Sequence, residues 1–477
     1  MSDLSEQTRW LDATAQAALV RSGEVSPSEL VAAAIERIEA ANPVLNAVTT
    51  PLFEKALAAA ASPDLPDGPF RGVPFTLKDL WAMSEGDRFT NGIPALARAD
   101  YRAPADTTLV ARYRAAGLIF VGRTNTPELG ILPTTEPMHF GPTRNPWNTD
   151  HSPGGSSGGS GAAVASGMVP ASHASDGGGS IRIPASACGL VGLKVSQGRI
   201  SLGPFRSEAA LGVEHVVTHT VRDSAALLDA THGPGVGDSV IAPAPLRPYL
   251  DEVGADPGRL RIGVVRHCRR FELDPEIRDA VDSTAELLRT LGHHVEEAEP
   301  AMLQDDELPA RFSALWAAQT RSGVITAGEW LGRELGPDDV EPLTWALASR
   351  STKLSADDYV VALAATSRYR RSVQQWWADG WDLLLSPTMP VLPARLGLMA
   401  QNPDAPLAPF AHAAPFAAYT AAFNTTGQPA ISLPLHMSRT GLPIGMQLAA
   451  AYAREDVLLR VAAQLEVAAP WSGRKPG

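Results

Sequence analysis

The sequence predicts an α/β layered fold, and three observations carry that prediction. Short apolar segments of strand length alternate along the chain with longer segments of helical periodicity, the pattern of strands and helices sharing one core. At 477 residues the chain is long enough to bury a large interior. Neither a repeat of solenoid period nor a low-complexity linker divides it, so one domain spanning residues 1–477 is expected.

Each element has a local cause. In "SPSELVAAAIERIEAANP", Ser26 is placed to cap a helix, Pro27 to occupy its first position, Glu29 to complete a capping box, and Asn42-Pro43 to stop it. "GVPFTLKDL" (Gly72 to Leu80) alternates Val73, Phe75 and Leu77 with small or polar residues and predicts a short buried strand ending at Lys78. "AAVASGMV" (Ala162 to Val169) is helix-capable, and Ser180 to Val195 carries an apolar face. Leu260 to Val265 and Asp382 to Pro390 are expected strands, and Pro275 to Leu291 and Asp357 to Ala378 expected helices. The Pro/Ala-rich stretches Ile241 to Pro248 and Gln401 to Pro415 are expected surface loops.

Charge and composition exclude several functions. With 40 Lys+Arg against 52 Asp+Glu the net charge is −12, which leaves no basic footprint for a nucleic-acid backbone. The N-terminal segment lacks a basic stretch followed by an apolar one, and no run of eighteen apolar residues occurs. No membrane contact and a cytoplasmic location are therefore expected. Cys188 and Cys268 form neither a CxxC pair nor a Cys/His cluster of zinc spacing, which predicts two reduced packing residues. His293 and His294 are expected in a surface turn entering a strand. Neither a metal nor a cofactor is predicted.

The glycine- and serine-rich stretch "SPGGSSGGSGAAVASGMVPASHASDGGGSIRIPAS" (152–186) is where chemistry concentrates. A flexible linker would not be interrupted by apolar faces. A phosphate-binding loop would need GxxxxGK[ST], and no lysine follows in that frame. "GSSGG" satisfies GxSxG, which would make Ser157 the nucleophile of an α/β-hydrolase, but that motif needs a strand directly before it and "TRNPWNTDHSPG" is turn-rich. A third reading joins both serine clusters to Lys78.

With four long segments in order, "GVPFTLKDL", "RTNTPELGILPTTEPMHFGPTRNPWN", the stretch above, and Phe423 to Glu466, the chain resembles the amidase signature family of serine amide hydrolases. The resemblance implies a central mixed twisted sheet covered by helices on both faces, with the signature core at about 70–200. It implies that Ser180 of "DGGGSIR" is the nucleophile, that Ser156 of "GGSSGG" is a bridging serine on a cis peptide, and that Lys78 is the base, a Ser-cisSer-Lys triad working through an acyl-enzyme. It places the oxyanion hole at the backbone N–H groups of Gly177, Gly178, Gly179 and Ser180, where missing side chains would leave clearance. Asp176 and Arg182 would brace the loop. A lysine serving as base near neutrality must have its ordinary pKa of ~10.4 lowered, and burial at the end of "VPFTL" would lower it; apart from the serine motifs, Lys78 would be an ordinary ion-paired residue with Asp79 beside it.

The substrate is expected to be a small molecule cleaved at a C–N bond. Ile131, Leu132 and Pro133, and Trp316 in place of a cysteine, depart from the branch of the family the chain most resembles and make the expected pocket apolar. Aryl or alkyl amides, cyclic or linear oligoamides, carbamates or esters are the candidates, and a packing role for Trp316 stays open. The glutamine-hydrolysing subunit of a tRNA-dependent amidotransferase is the alternative within the family. The assembly considered is a homodimer.

Overall fold

A computed structural model describes residues 2–206, 211–305 and 308–477. Among the described residues, eleven strands form one mixed sheet. In chain order they are β1 (Val48–Pro51), β2 (Pro74–Lys78), β3 (Ile119–Thr124), β4 (Ala171–Asp176), β5 (Val191–Lys194), β6 (Val213–Thr218), β7 (Arg261–Val264), β8 (His294–Glu297), β9 (Leu383–Pro387), β10 (Ala430–Met437) and β11 (Pro443–Ala450). Their order across the sheet is β1-β3-β2-β4-β6-β5-β10-β11-β9-β7-β8. β2 runs parallel to both β3 and β4, and β7 runs parallel to both β8 and β9; the strands between are antiparallel.

The central strands are buried throughout, as expected for a sheet covered on both sides. One core cluster runs from Phe75 and Leu77 through Val216, Ile431 and Leu448 to the helix Glu455–Ala468. A second packs the helices Pro27–Leu45 and Gly158–Ala165 against Ile119, Val121 and Ala174.

The capping box of Ser26 and Glu29 forms as expected, but the helix it starts passes Asn42-Pro43 and ends at Leu45. Proline there removes one donor only, and Asn42 secures the turn beyond: its side-chain oxygen accepts from the N–H groups of Ala47 and Val48, and Asn46 closes the helix in the left-handed conformation. The expected loop Gln401 to Pro415 contains a helix at Ala408–Ala413. His293 is buried, not on the surface: its ring accepts from the Leu260 N–H and meets Gln464, while His294 enters β8 exposed.

Two features of this frame prepare the site. β2 and β4 lie side by side and parallel, joined by Thr76 donating to Ser172 at 2.7 Å, so their carboxyl ends, Lys78 and Ser175-Asp176, emerge together. Parallel strands ordinarily present ligand sites at that end. The segment 152–186 wraps this edge: 154–157 approaches it, Gly158–Ala165 packs behind it, β4 passes through it, and the helix Arg182–Cys188 leaves it.

Candidate active site

Lys78 is fully buried, and its Nζ lies 2.7 Å from Ser156 Oγ, 2.9 Å from Ser157 Oγ and 2.8 Å from Ser175 Oγ. Burial lowers its pKa to about 7; the nearby carboxylates of Glu214 and Asp176 oppose that fall, and the Arg206 guanidinium adds to it. Asp79 points elsewhere. Its carboxylate accepts from Arg123 at 2.9 Å and from the N–H and hydroxyl of Thr90, so the residue next to Lys78 in sequence does not hold its ammonium.

The hydrogens around Nζ can be assigned. Ser157 directs its own hydroxyl proton to the Ser175 carbonyl at 3.1 Å and so accepts from the lysine. A neutral amine has two hydrogens and one lone pair. With one hydrogen on Ser157 and the other available to Ser175, the lone pair can take the proton of Ser156. Three hydroxyls therefore suit the uncharged lysine without leaving an unpaired group.

The backbone is shaped for this packing. The Gly155–Ser156 peptide is cis. A Cβ at Gly155 would come within 2.4 Å of the Thr134 N, and one at Gly159 within 2.4 Å of the Asn125 N, so only glycine lets this segment reach the chain that follows β3. Ser157 is wholly buried, follows no strand, and holds Ser175 and Lys78; it is unsuited to the nucleophilic role that GxSxG alone would give it.

After β4 the chain turns through Gly177-Gly178-Gly179 to Ser180. Asp176 organises that turn: its carboxylate accepts from the N–H groups of Gly179 at 2.7 Å and Ile181 at 3.1 Å and from the Arg182 guanidinium at 2.9 Å. Arg182, equally buried, reaches on to the Thr420 carbonyl, Gln447 and Asn424. The guanidinium beside it holds the Asp176 carboxyl well below the usual range. Because the Gly179 N–H is engaged by Asp176, the turn leaves those of Gly177, Gly178 and Ser180 without a protein acceptor among the described residues.

The glycines of this turn make room for aromatic rings. A Cβ on Gly177 would lie 3.0 Å from Trp316, and one on Gly178 3.2 Å from Phe312. Phe312 and Trp316, one turn apart on the helix Leu308–Leu331, stack with centroids 5.0 Å apart. Ser156, Ser175, Gly177 and Ser180 line a cavity of about 370 Å³ that Ile131 and Trp316 also border. A second cavity of about 130 Å³ opens from Ser180 and is bordered by Ile131, Leu132, Pro133, Phe312 and Trp316.

Among the expected residues, Lys78, Ser156, Ser180, Asp176, Arg182, Ile131, Leu132 and Trp316 thus all border the site or brace its turn. Sequence reasoning missed Ser175, whose strand parity with His173 and Ala171 was the available signal, and Phe312, four residues before Trp316. It also missed Asn424 and Gln447, both inside or beside the C-terminal segment already singled out. Cys188 packs against the Pro153 carbonyl, and burial pushes its thiol pKa up. No helix among the described residues is long and apolar enough to cross a membrane.

The chain that carries this buried lysine in its cluster of serines matches the carbon–nitrogen hydrolases, and it is an amidase. More particularly, the sequence pattern of the Amidase family matches residues 29–459, and the chain belongs to the amidase signature family. It is 45% identical over 484 aligned residues to the 6-aminohexanoate-cyclic-dimer hydrolase of Paenarthrobacter ureafaciens, covering 99% of this chain and 98% of that one. A solved structure of 6-aminohexanoate cyclic dimer hydrolase superimposes with a TM-score of 0.95 at 45% identity, over 98% of this chain and 99% of the other. A bacterial aryl acylamidase of the same family superimposes with a TM-score of 0.86 at 28% identity, again over 98% and 99%.

Proposed function

We propose that the protein is a free-standing hydrolase that cleaves small, largely apolar amides through an acyl-enzyme on Ser180. The observation that carries this reading is the buried Lys78 with a pKa of about 7 and three serine hydroxyls on its Nζ. A serine hydroxyl needs a base before it can attack a carbonyl, and with a pKa of about 7 a large share of this lysine is uncharged near neutrality and able to accept a proton.

Ser180 gives its proton to Ser156, which passes its own to Lys78, while Ser180 Oγ forms the bond to the substrate carbonyl carbon. The backbone N–H groups of Gly177, Gly178 and Ser180 receive the developing oxyanion, each such donor being worth ~3–4 kcal/mol of barrier. Ser156, reprotonated from Lys78, then protonates the leaving amine. Water repeats the sequence on the acyl-enzyme and releases the acid. Asp176 and Arg182 keep the turn in place and exchange no proton.

The apolar borders of Ile131, Leu132 and Trp316 support alkyl or aryl amides, cyclic or linear, over free glutamine. The names of the similar proteins, one acting on a cyclic dimer of 6-aminohexanoate and another an aryl acylamidase, point the same way. Carbamates and esters with the same groups fit the chemistry. The test is to mix the purified chain with an activated amide, quench within one turnover, and locate the acyl group by peptide mass. Acyl mass on the peptide containing Ser180 is expected; acyl mass on the peptide of Ser157 alone would refute the assignment.

A further inference from the structure

We infer that the two unlike cavities meeting at Ser180 divide the substrate between them, the larger taking the leaving amine and the smaller taking a linear acyl chain of about six carbons with an anionic far end. This rests on the acyl-enzyme reading above. Ser180, Gly130, Ile131 and Trp316 border both cavities, so the bond under attack lies at their junction. The remaining walls differ.

The 370 Å³ cavity contains Ser156 and carries Gln319, Thr326 and Tyr359. The group that protonates the departing nitrogen must touch it, and Ser156 borders this cavity alone. The amine side is therefore here. The acyl side then falls to the 130 Å³ cavity, which contains Gly178 and Ser180 and is walled by Leu132, Ile183, Phe312 and Phe410.

Size and charge define the acyl group. An apolar cavity of about 150 Å³ accommodates a benzene ring, so one of 130 Å³ suits about six carbons. Arg270 is the charged residue on its wall, is exposed to solvent, and holds its guanidinium 5.7 Å from the centre of the Phe271 ring. On this assignment the far end of a chain that fills the cavity meets that guanidinium. A carboxylate there is attracted, and an ammonium repelled.

The experiment compares kcat/KM on anilides sharing one amine and differing only in acyl group: acetyl, butanoyl, hexanoyl, decanoyl, adipoyl and 6-aminohexanoyl. About a fourfold gain per methylene is expected from acetyl to hexanoyl, with no further gain at decanoyl. The adipoyl compound should exceed the 6-aminohexanoyl compound about fivefold, the range of an exposed ion pair, and Arg270→Ala should bring that ratio near one. Leu132→Phe should move the optimum to shorter chains. Values flat in acyl length, or an adipoyl to 6-aminohexanoyl ratio unchanged by Arg270→Ala, would overturn the assignment. Trapped acyl mass on Ser180 in the same experiment separates the two levels. With the adduct present and flat values the division of the cavities fails alone; with the adduct absent the acyl-enzyme reading fails and takes the division with it.

Discussion

Lys78 Nζ and Ser156 Oγ lie 2.7 Å apart with both side chains closed off from solvent. That short contact joins the end of β2 to a segment 78 residues further on, and the proposed proton path runs through it. Ser180→Ala is expected to lower kcat by at least about 10⁴-fold with an unchanged far-UV spectrum, because a methyl group takes the place of one hydroxyl in a turn held by Asp176. Ser157→Ala should lose less, since Lys78 keeps Ser156 and Ser175. Turnover of the two variants under one condition compares them directly.

The lowered pKa of Lys78 makes activity depend on pH. With a value of about 7, kcat/KM should rise about tenfold per pH unit below neutrality and level off above it. A profile flat between pH 5 and 7 would remove Lys78 as the base. Stability should follow the same group. Between about 7 and the ordinary 10.5 the unfolded chain binds a proton that the folded chain does not, so stability rises with pH across that window, by up to about 1.4 kcal/mol per unit. Subtracting the unfolding curves of Lys78→Met from those of the native chain at pH 7 and 9 isolates it, since the equally buried Lys194 is present in both.

The sheet and the meeting of Lys78 with Ser156 were legible because they depend on local signals. Alternation in "VPFTLK" set β2 and its end, and glycines beside serines marked both turns. What the sequence did not show arises from contacts between distant segments. Asn42 carries its helix past Pro43 only because Ala47 and Val48 fold back on its side chain. Gly177 and Gly178 lie under Trp316 and Phe312, residues more than 130 positions away, and no local pattern reports that the clearance over the turn is filled by rings. His293 is buried because Gln464 of the last helix covers it.

Asp176 and Arg182 form an ion pair with no exposed surface, so breaking it should cost more than a surface pair would. Asp176→Ala leaves the guanidinium buried without its carboxylate and is expected to destabilise the fold by about 3–5 kcal/mol. Arg182→Lys should also fail, because one ammonium cannot serve Asp176, Thr420, Gln447 and Asn424 together. Urea unfolding midpoints measure both.

Glu128 is buried in the turn that leads to Leu129, Gly130 and Ile131, and its carboxylate oxygen accepts from the Glu341 N–H at 2.7 Å. Burial, with the Glu341 carboxylate adding to it, holds its pKa well above the ordinary range. The folded chain therefore keeps a proton that the unfolded chain releases above about 4.5, and stability from this group falls as pH rises. Glu128→Gln keeps the acceptor and removes the titration. Its midpoint should approach or pass that of the native chain between pH 6 and 9; a difference constant over that interval would show that Glu128 carries charge when folded.

Trp316 borders both cavities, stacks on Phe312 and lies over Gly177, so its removal separates its part in binding from its part in packing. It is partly exposed and borders both cavities, which fits a ring facing a space more than one locked in a core, although its Nε1 is buried without a hydrogen-bond partner among the described residues. Trp316→Ala should therefore keep the fold while joining the two cavities into one. Substrates with an aryl or long alkyl group are expected to lose about 10–200-fold in kcat/KM, the range for a changed hydrophobic contact, and small amides such as acetamide much less. Unfolding midpoints must be taken alongside: an equal loss on every substrate together with a fall of several kcal/mol in stability would make Trp316 a core residue, and the preference for apolar amides would then have to come from Ile131 and Leu132.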